Sequence, residues 1–240
     1  MSDKMRAIPF AELLTTSLHD FREKKELYHV PVADSVPDLG MTMAGRPLSC
    51  PVGPAAGPHS QLAQNLIAGF GAGARVFELK TVQILYGEQL GIQKPCIWTG
   101  DEAYNIEWST ELTIEGARDE YIRAYIILHL LAREFGLDDK FQFHASVGYN
   151  LEGIQSPTVD GFLNAMRDAS GTDAWKEGVD WIKAFPVLIW KPHHRPKSRY
   201  VQVGHSARWW RTSIQCRKQS PLTLLHAQRN SDNRKAMQCH

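Results

Sequence analysis

The chain has 240 residues, 43% of them hydrophobic, which is enough to bury one core and suits a single α/β domain. No apolar run reaches membrane-spanning length, and Lys4 and Arg6 are not followed by the apolar stretch of a signal peptide, so a soluble, cytoplasmic protein with no membrane partner is expected. The net charge of +1 conceals a split: from Ala184 onward eleven Lys or Arg face one acid, Asp232, giving +10, and the residues before it carry −9.

Residues Pro9 to Glu26 place Phe10, Leu13, Leu14, Ser17, Leu18 and Phe21 on one face at helical spacing, which predicts a packing helix. Proline and glycine punctuate Val30 to Gly45, read as a loop leading into a first buried strand, Leu48 to Val52. The strand leaves through Gly53-Pro54-Ala55-Ala56-Gly57-Pro58-His59. Small residues at such an exit let a flat ligand lie directly against the backbone, although a Pro-Gly cluster is also what an ordinary tight turn requires.

A helix is expected over Ser60 to Phe70, with Leu62, Leu66, Ile67 and Phe70 on its inner face, then a break at Gly71 to Gly73 and a strand over Arg75 to Leu79. This is a β-α-β unit of a parallel sheet. Lys80 and Thr81 follow the second strand. A lysine there could stabilise negative charge on a reduced cofactor ring, or pair with Glu78 as a structural ion pair.

A longer helix is predicted from Ala117 to Phe135, stopped by Gly136, and a third strand from Phe141 to Val147 leaves through Gly148-Tyr149-Asn150. The Asn150 amide can both donate to and accept from the edge of a heterocycle, or it can occupy a left-handed turn. Three strands thus end in polar or glycine-bearing loops, which in parallel α/β folds gather on one face where chemistry is built. Helical segments Gly161 to Arg167 and Ala174 to Lys183 follow, divided by a Ser170-Gly171-Thr172-Asp173 turn with a potential N-cap.

Neither a Gly-x-Gly-x-x-Gly loop nor a Gly-Lys-Ser/Thr phosphate loop is present, which disfavours a Rossmann or P-loop site. Cys50, Cys96, Cys216 and Cys239 make no metal-ligand spacing, so no metal site is expected and Cys50 reads as a small buried hydrophobe. Asn105, Glu107, Trp108, Ser109 and Thr110 form a polar-aromatic cluster before the long helix, where capping accounts for Ser109 or Thr110 and a substrate role is open to the others. His59 and His144 read as satisfied structural histidines. No catalytic residue is assigned.

The tail from about Phe185 carries Pro192, Pro196 and Pro221, the pairs His193-His194 and Trp209-Trp210, and clustered basic residues without helical or strand period. It reads as disordered or frameshift-derived. A nucleic-acid arm, with arginines on phosphates and tryptophans stacking on bases, or a partner-binding tail on a degenerate α/β domain, is the alternative; nucleic acid is the disfavoured partner.

Several long strings resemble a known family: Cys50-Pro51-Val52-Gly53-Pro54-Ala55-Ala56-Gly57-Pro58-His59-Ser60-Gln61-Leu62-Ala63-Gln64-Asn65, Glu78-Leu79-Lys80-Thr81-Val82-Gln83, Asn105-Ile106-Glu107-Trp108-Ser109-Thr110-Glu111 and Ser146-Val147-Gly148-Tyr149-Asn150-Leu151-Glu152-Gly153-Ile154. Residues 1–183 look like the N-terminal portion of the selenate reductase subunit family, flavin and iron–sulfur oxidoreductases similar to dihydropyrimidine dehydrogenase, and residues 184–240 have no match in it. The resemblance implies part of a (β/α)8 TIM barrel of the dihydroorotate dehydrogenase type, truncated here and ending in an irregular basic tail. It implies FMN held by Ala55, Ala56, Gly57, Lys80, Thr81 and Asn150, with electrons passing through the flavin to a small-molecule acceptor. Relatives of full length would add iron–sulfur clusters, a second flavin, the phosphate-binding loops of the barrel and contacts to other oxidoreductase subunits. A fragment inactive on its own is the corresponding expectation.

Overall fold

The computed structural model describes residues 7–86, 89, 112–148 and 150–184, together with the backbone of 223–224. The first helix, α1 (Phe10–Lys24), buries the six residues expected of its inner face and also Asp20, and it ends where Lys25 turns left-handed at φ 58°. The stretch expected to be a loop instead holds two small antiparallel hairpins, β1 (Glu26–Leu27) with β2 (Val30–Pro31) and β3 (Met41–Met43) with β4 (Arg46–Leu48). Each turns through two residues of positive φ, Tyr28-His29 and Ala44-Gly45, the conformation that matches the twist of a tight hairpin. Strands of two or three residues are too short to show a period of two, so only the Ala44-Gly45 turn left a trace in the sequence.

The expected first strand, Leu48 to Val52, is corrected in register. Leu48 belongs to β4, and the chain then runs beside the sheet at 52–54, where Val52 O accepts from the amides of Arg75 and Val76 and Pro54 O accepts from Glu78 N. Pro54 has no N–H to return to β5, which leaves the ladder one-sided, and Val52 is 65% exposed.

A 3-10 turn over Pro58–Gln61 precedes α2 (Ala63–Gly71), which buries Ala63, Leu66, Ile67 and Phe70; Leu62 stays outside, as the extended N-cap. Strand β5 (Val76–Glu78) follows, then α3 (Ile114–Phe135), then β6 (Gln142–Ala145), which pairs parallel to β5 with Phe77 opposite Phe143 and Glu78 opposite His144. Helix α3 is capped at its start by Thr113 and stopped by Gly136 at φ 67°, as the glycine in the sequence predicts. Helices α4 (Leu151–Ile154), α5 (Pro157–Arg167) and α6 (Asp173–Ala184) follow, and β7 (Thr223–Leu224), within the basic tail, adds to β6 in parallel.

Alternation along the strands divides the sheet into two unlike faces. Phe77, Phe143 and Ala145 join Phe70, Tyr121 and Ile127 in the core between sheet and helices, with the Phe77 and Phe143 rings edge-to-face at 5.2 Å. The other face is polar. At its lower end the Gln142 amide nitrogen donates to the carbonyls of Met43, Arg46 and Pro47, which fastens the β3–β4 hairpin to the start of β6. Hydrophobic burial is thus spent on the helix side, and the polar face is left to position groups at the strand ends.

Candidate functional site

The loop after residues 52–54 and the loops after β5 and β6 lie side by side. Glu78 Oε2 accepts the Ala56 amide at 3.3 Å, linking the first loop to the second strand. Thr81 Oγ1 and Ser146 Oγ meet at 2.8 Å, linking the second loop to the third. The backbone continues the junction, with Val82 N donating to Ser146 O at 3.1 Å and Gly148 N to Val82 O at 3.0 Å.

One residue is inserted in β5 at this point. Leu79 N bonds His144 O, but the next rung, from Ser146 O, is to Val82 rather than Thr81. A bulge at Lys80-Thr81 results, the kind of irregularity that re-aims side chains at the rim of a sheet. It is held from behind: the Tyr121 hydroxyl of α3 donates to Lys80 O at 2.8 Å, and burial drives that phenol far above its ordinary pKa, so it remains a donor. The neighbouring Glu120 is fully buried and its Oε2 accepts the Ala63 amide at 2.8 Å, while its Oε1 meets Arg123 at 3.4 Å. Two consecutive residues of α3 therefore brace both the loop entering α2 and the loop leaving β5. Neither stood out in the sequence, where the long helix carries no motif that marks them.

The expected site residues differ in how they are held. Ala55 is exposed, Ala56 half-buried and Gly57 buried, with the Gly57 amide donating to Ser60 Oγ at 3.2 Å. Lys80 is only 4% exposed and Thr81 half-buried. Asn150 is exposed and extended at φ −112°, not left-handed, and its Oδ1 caps α4 by accepting from Gly153 N at 2.8 Å. Cys50 is buried and unbridged. Gly53, the glycine nearest the strand, serves the fold: a Cβ there would stand 1.5 Å from Val76 O, so its smallness admits a neighbouring backbone rather than a ligand. Gly53 and Pro54 also line an open groove of about 440 Å³ with Val36, Gly73 and Ala74 on the flank of the sheet.

His144 overturns its expected role. It is 2% exposed, yet among the described residues neither ring nitrogen has a hydrogen-bond partner, which does not fit a satisfied core histidine. Burial pulls its pKa below the usual imidazole value, against the opposing pull of Glu78. Asn105, Glu107, Trp108, Ser109, Thr110 and Tyr149 lie outside the described residues, as do Cys96, Cys216, Cys239 and the histidine and tryptophan pairs of the tail. Among the described residues there is no group of three or more His, Cys, Asp or Glu that could hold a metal ion, and no helix is long and apolar enough to cross a membrane.

Parallel strands whose polar ends gather on one side, with helices packed behind, are common to parallel α/β folds, the TIM barrel among them. The family model described as "Oxidoreductase YgfK, N-terminal TIM-barrel domain" matches residues 28–202. The chain belongs to this family. It is 47% identical over 176 residues to the YgfK proteins of Escherichia coli strain K12 and Escherichia coli O157:H7, a match covering 71% of this chain and 17% of each relative. The chain thus spans about a sixth of the length of the YgfK relatives it matches. No solved structure matches it. Both names are those of an oxidoreductase without a stated acceptor, so the expected membership narrows from selenate reductase subunits to YgfK-type oxidoreductases.

Proposed function

We propose that this chain supplies part of the flavin site of a YgfK-type oxidoreductase, with the ring of FMN lying across the ends of residues 52–54, β5 and β6. The observation that carries this reading is the convergence of the three strand-end loops through the Ala56–Glu78 and Thr81–Ser146 contacts. The residues fit the ring end of such a group. Lys80 supplies a cation on a bulge fixed by Tyr121, Ala55 and Ala56 offer little side-chain bulk, and Asn150 keeps its Nδ2 donors after Oδ1 has capped α4. The phosphate of FMN falls, on this reading, to barrel loops of the kind that lie late in the fold.

FMN, when bound, accepts and releases hydride. The chain's own contributions are positional and electrostatic. Lys80 places positive charge where negative charge accumulates on the reduced ring, and its burial keeps that interaction little screened by water. Thr81 and Ser146 hold the two loops at a fixed separation. The electron acceptor is, on this reading, a small organic molecule or oxyanion; iron–sulfur clusters and a second flavin belong to the remainder of a full-length enzyme.

Titration of the full chain with FMN, followed by absorbance and flavin fluorescence, tests the proposal, with the intact YgfK protein of Escherichia coli as reference. Saturable binding is expected. Lys80→Met should weaken it by about tenfold or more, the worth of one charge-assisted contact of ~1.5–3 kcal/mol. Failure of both proteins to take up FMN would overturn the flavin reading.

A further inference from the structure

Along the polar face of β6 three side chains stand two residues apart. Gln142 has its amide nitrogen engaged by three carbonyls of the β3–β4 hairpin, and Ser146 shares a hydrogen bond with Thr81. His144, between them, has partners among the described residues for neither Nδ1 nor Nε2, although it is 2% exposed. A polar face whose neighbouring members are satisfied does not leave one member wholly unpaired for want of polar groups.

The placement of His144 is specific. Its chain neighbours Phe143 and Ala145 belong to the core on the helix side, so the imidazole stands on the opposite face, in register with Glu78, whose Oε2 holds the Ala56 amide. It is thus beside the carboxylate that joins the first strand-end loop to the second, and two residues before the Ser146 contact that joins the second to the third. Burial favours the uncharged ring, which offers one N–H donor and one nitrogen acceptor.

We infer that His144 is a further ligand-contacting residue of the strand-end site, its imidazole donating one hydrogen bond to, and accepting one from, the edge of a planar heterocycle that carries neighbouring N–H and C=O groups. The polar edge of the FMN ring has that pattern, so the inference rests on the flavin reading and extends it to a residue outside the loops. It also accounts for the buried, unpaired state of the ring: the two bonds missing in the fold are made by the ligand.

Two variants of the full chain, His144→Leu and His144→Asn, separate this from a structural role. Leucine removes both polar atoms from a buried place, so His144→Leu is expected to unfold at the same or a higher temperature than the parent while losing about tenfold or more in FMN affinity. Asparagine keeps one donor and one acceptor and is expected to retain affinity within about threefold. Imidazole ¹⁵N resonances of His144 should shift on addition of FMN. A His144→Leu variant that binds FMN as the parent does would overturn the contact and leave the flavin reading standing. Marked thermal destabilisation by leucine would overturn it independently of FMN, because it would mean that the ring nitrogens are bonded within the fold. A parent chain and an intact YgfK protein that both refuse FMN would overturn the flavin reading and this contact with it.

Discussion

Glu120 and His144 are buried titratable groups whose burial acts in opposite directions with pH. Burial raises the Glu120 carboxyl above its ordinary value of 4.5, so the unfolded chain ionises first and the associated stability, full below that value, is lost as pH rises through the higher folded value. Burial lowers His144 below 6.5, so its contribution is present above that value and is lost as pH falls through the folded one. Replacing His144 by leucine should therefore flatten the fall in stability below pH 6.5, as read from denaturant midpoints across that range. Glu120→Ala strands the Ala63 amide and should cost about 1–3 kcal/mol, whereas Glu120→Gln keeps an acceptor and should cost less; equal losses would show that the carboxylate, not the hydrogen bond to α2, is what matters.

Elements meet here through backbone approaches that a single methyl group would block. Gly53→Ala pushes a Cβ into Val76 O, so residues 52–54 must leave β5; a loss of about 1–3 kcal/mol in equilibrium unfolding is expected, with FMN uptake falling because Ala55 and Ala56 move with the segment. At Gly178, where α6 packs on α3, a Cβ would meet a side chain instead, Ile126 Cδ1 at 2.7 Å, which can give way. Asn150 carries both a structural and a ligand-binding assignment, and one substitution parts them. Asn150→Asp keeps an oxygen to cap α4 but has no Nδ2 donor, so it should preserve the melting temperature and weaken FMN binding. If both are unchanged, Asn150 is only a cap.

At the scale of the molecule, among the described residues, helices cover one face of the β5–β6 sheet and the β3–β4 hairpin is fastened to the start of β6 on the other, while the polar contacts between loops gather at the C-terminal strand ends. Val52, Met41 and Met43 remain exposed near the edge of this unit. Val52→Lys should change stability by no more than about 0.5 kcal/mol while reducing light scattering of concentrated protein, since an exposed apolar edge invites pairing with another chain and a lysine discourages it. More scattering after the substitution would count against this.

Helix α1, the inner face of α2, and α3 with its Gly136 stop were readable in the sequence because each repeats apolar residues at a fixed interval and ends at a residue with its own backbone preference. The expected strands over Arg75 to Leu79 and Phe141 to Val147 contain β5 and β6, the parallel pair. The two hairpins were hidden because strands of two or three residues have no period, and the one-sided ladder at 52–54 reflects Pro54, which has no N–H to donate. Local pattern can say which residues will be buried, but not whether a buried donor or acceptor will find a partner. That depends on residues distant in sequence: the Ala63 amide reaching Glu120, the Tyr121 hydroxyl reaching Lys80, and no hydrogen bond from the described residues reaching the His144 ring.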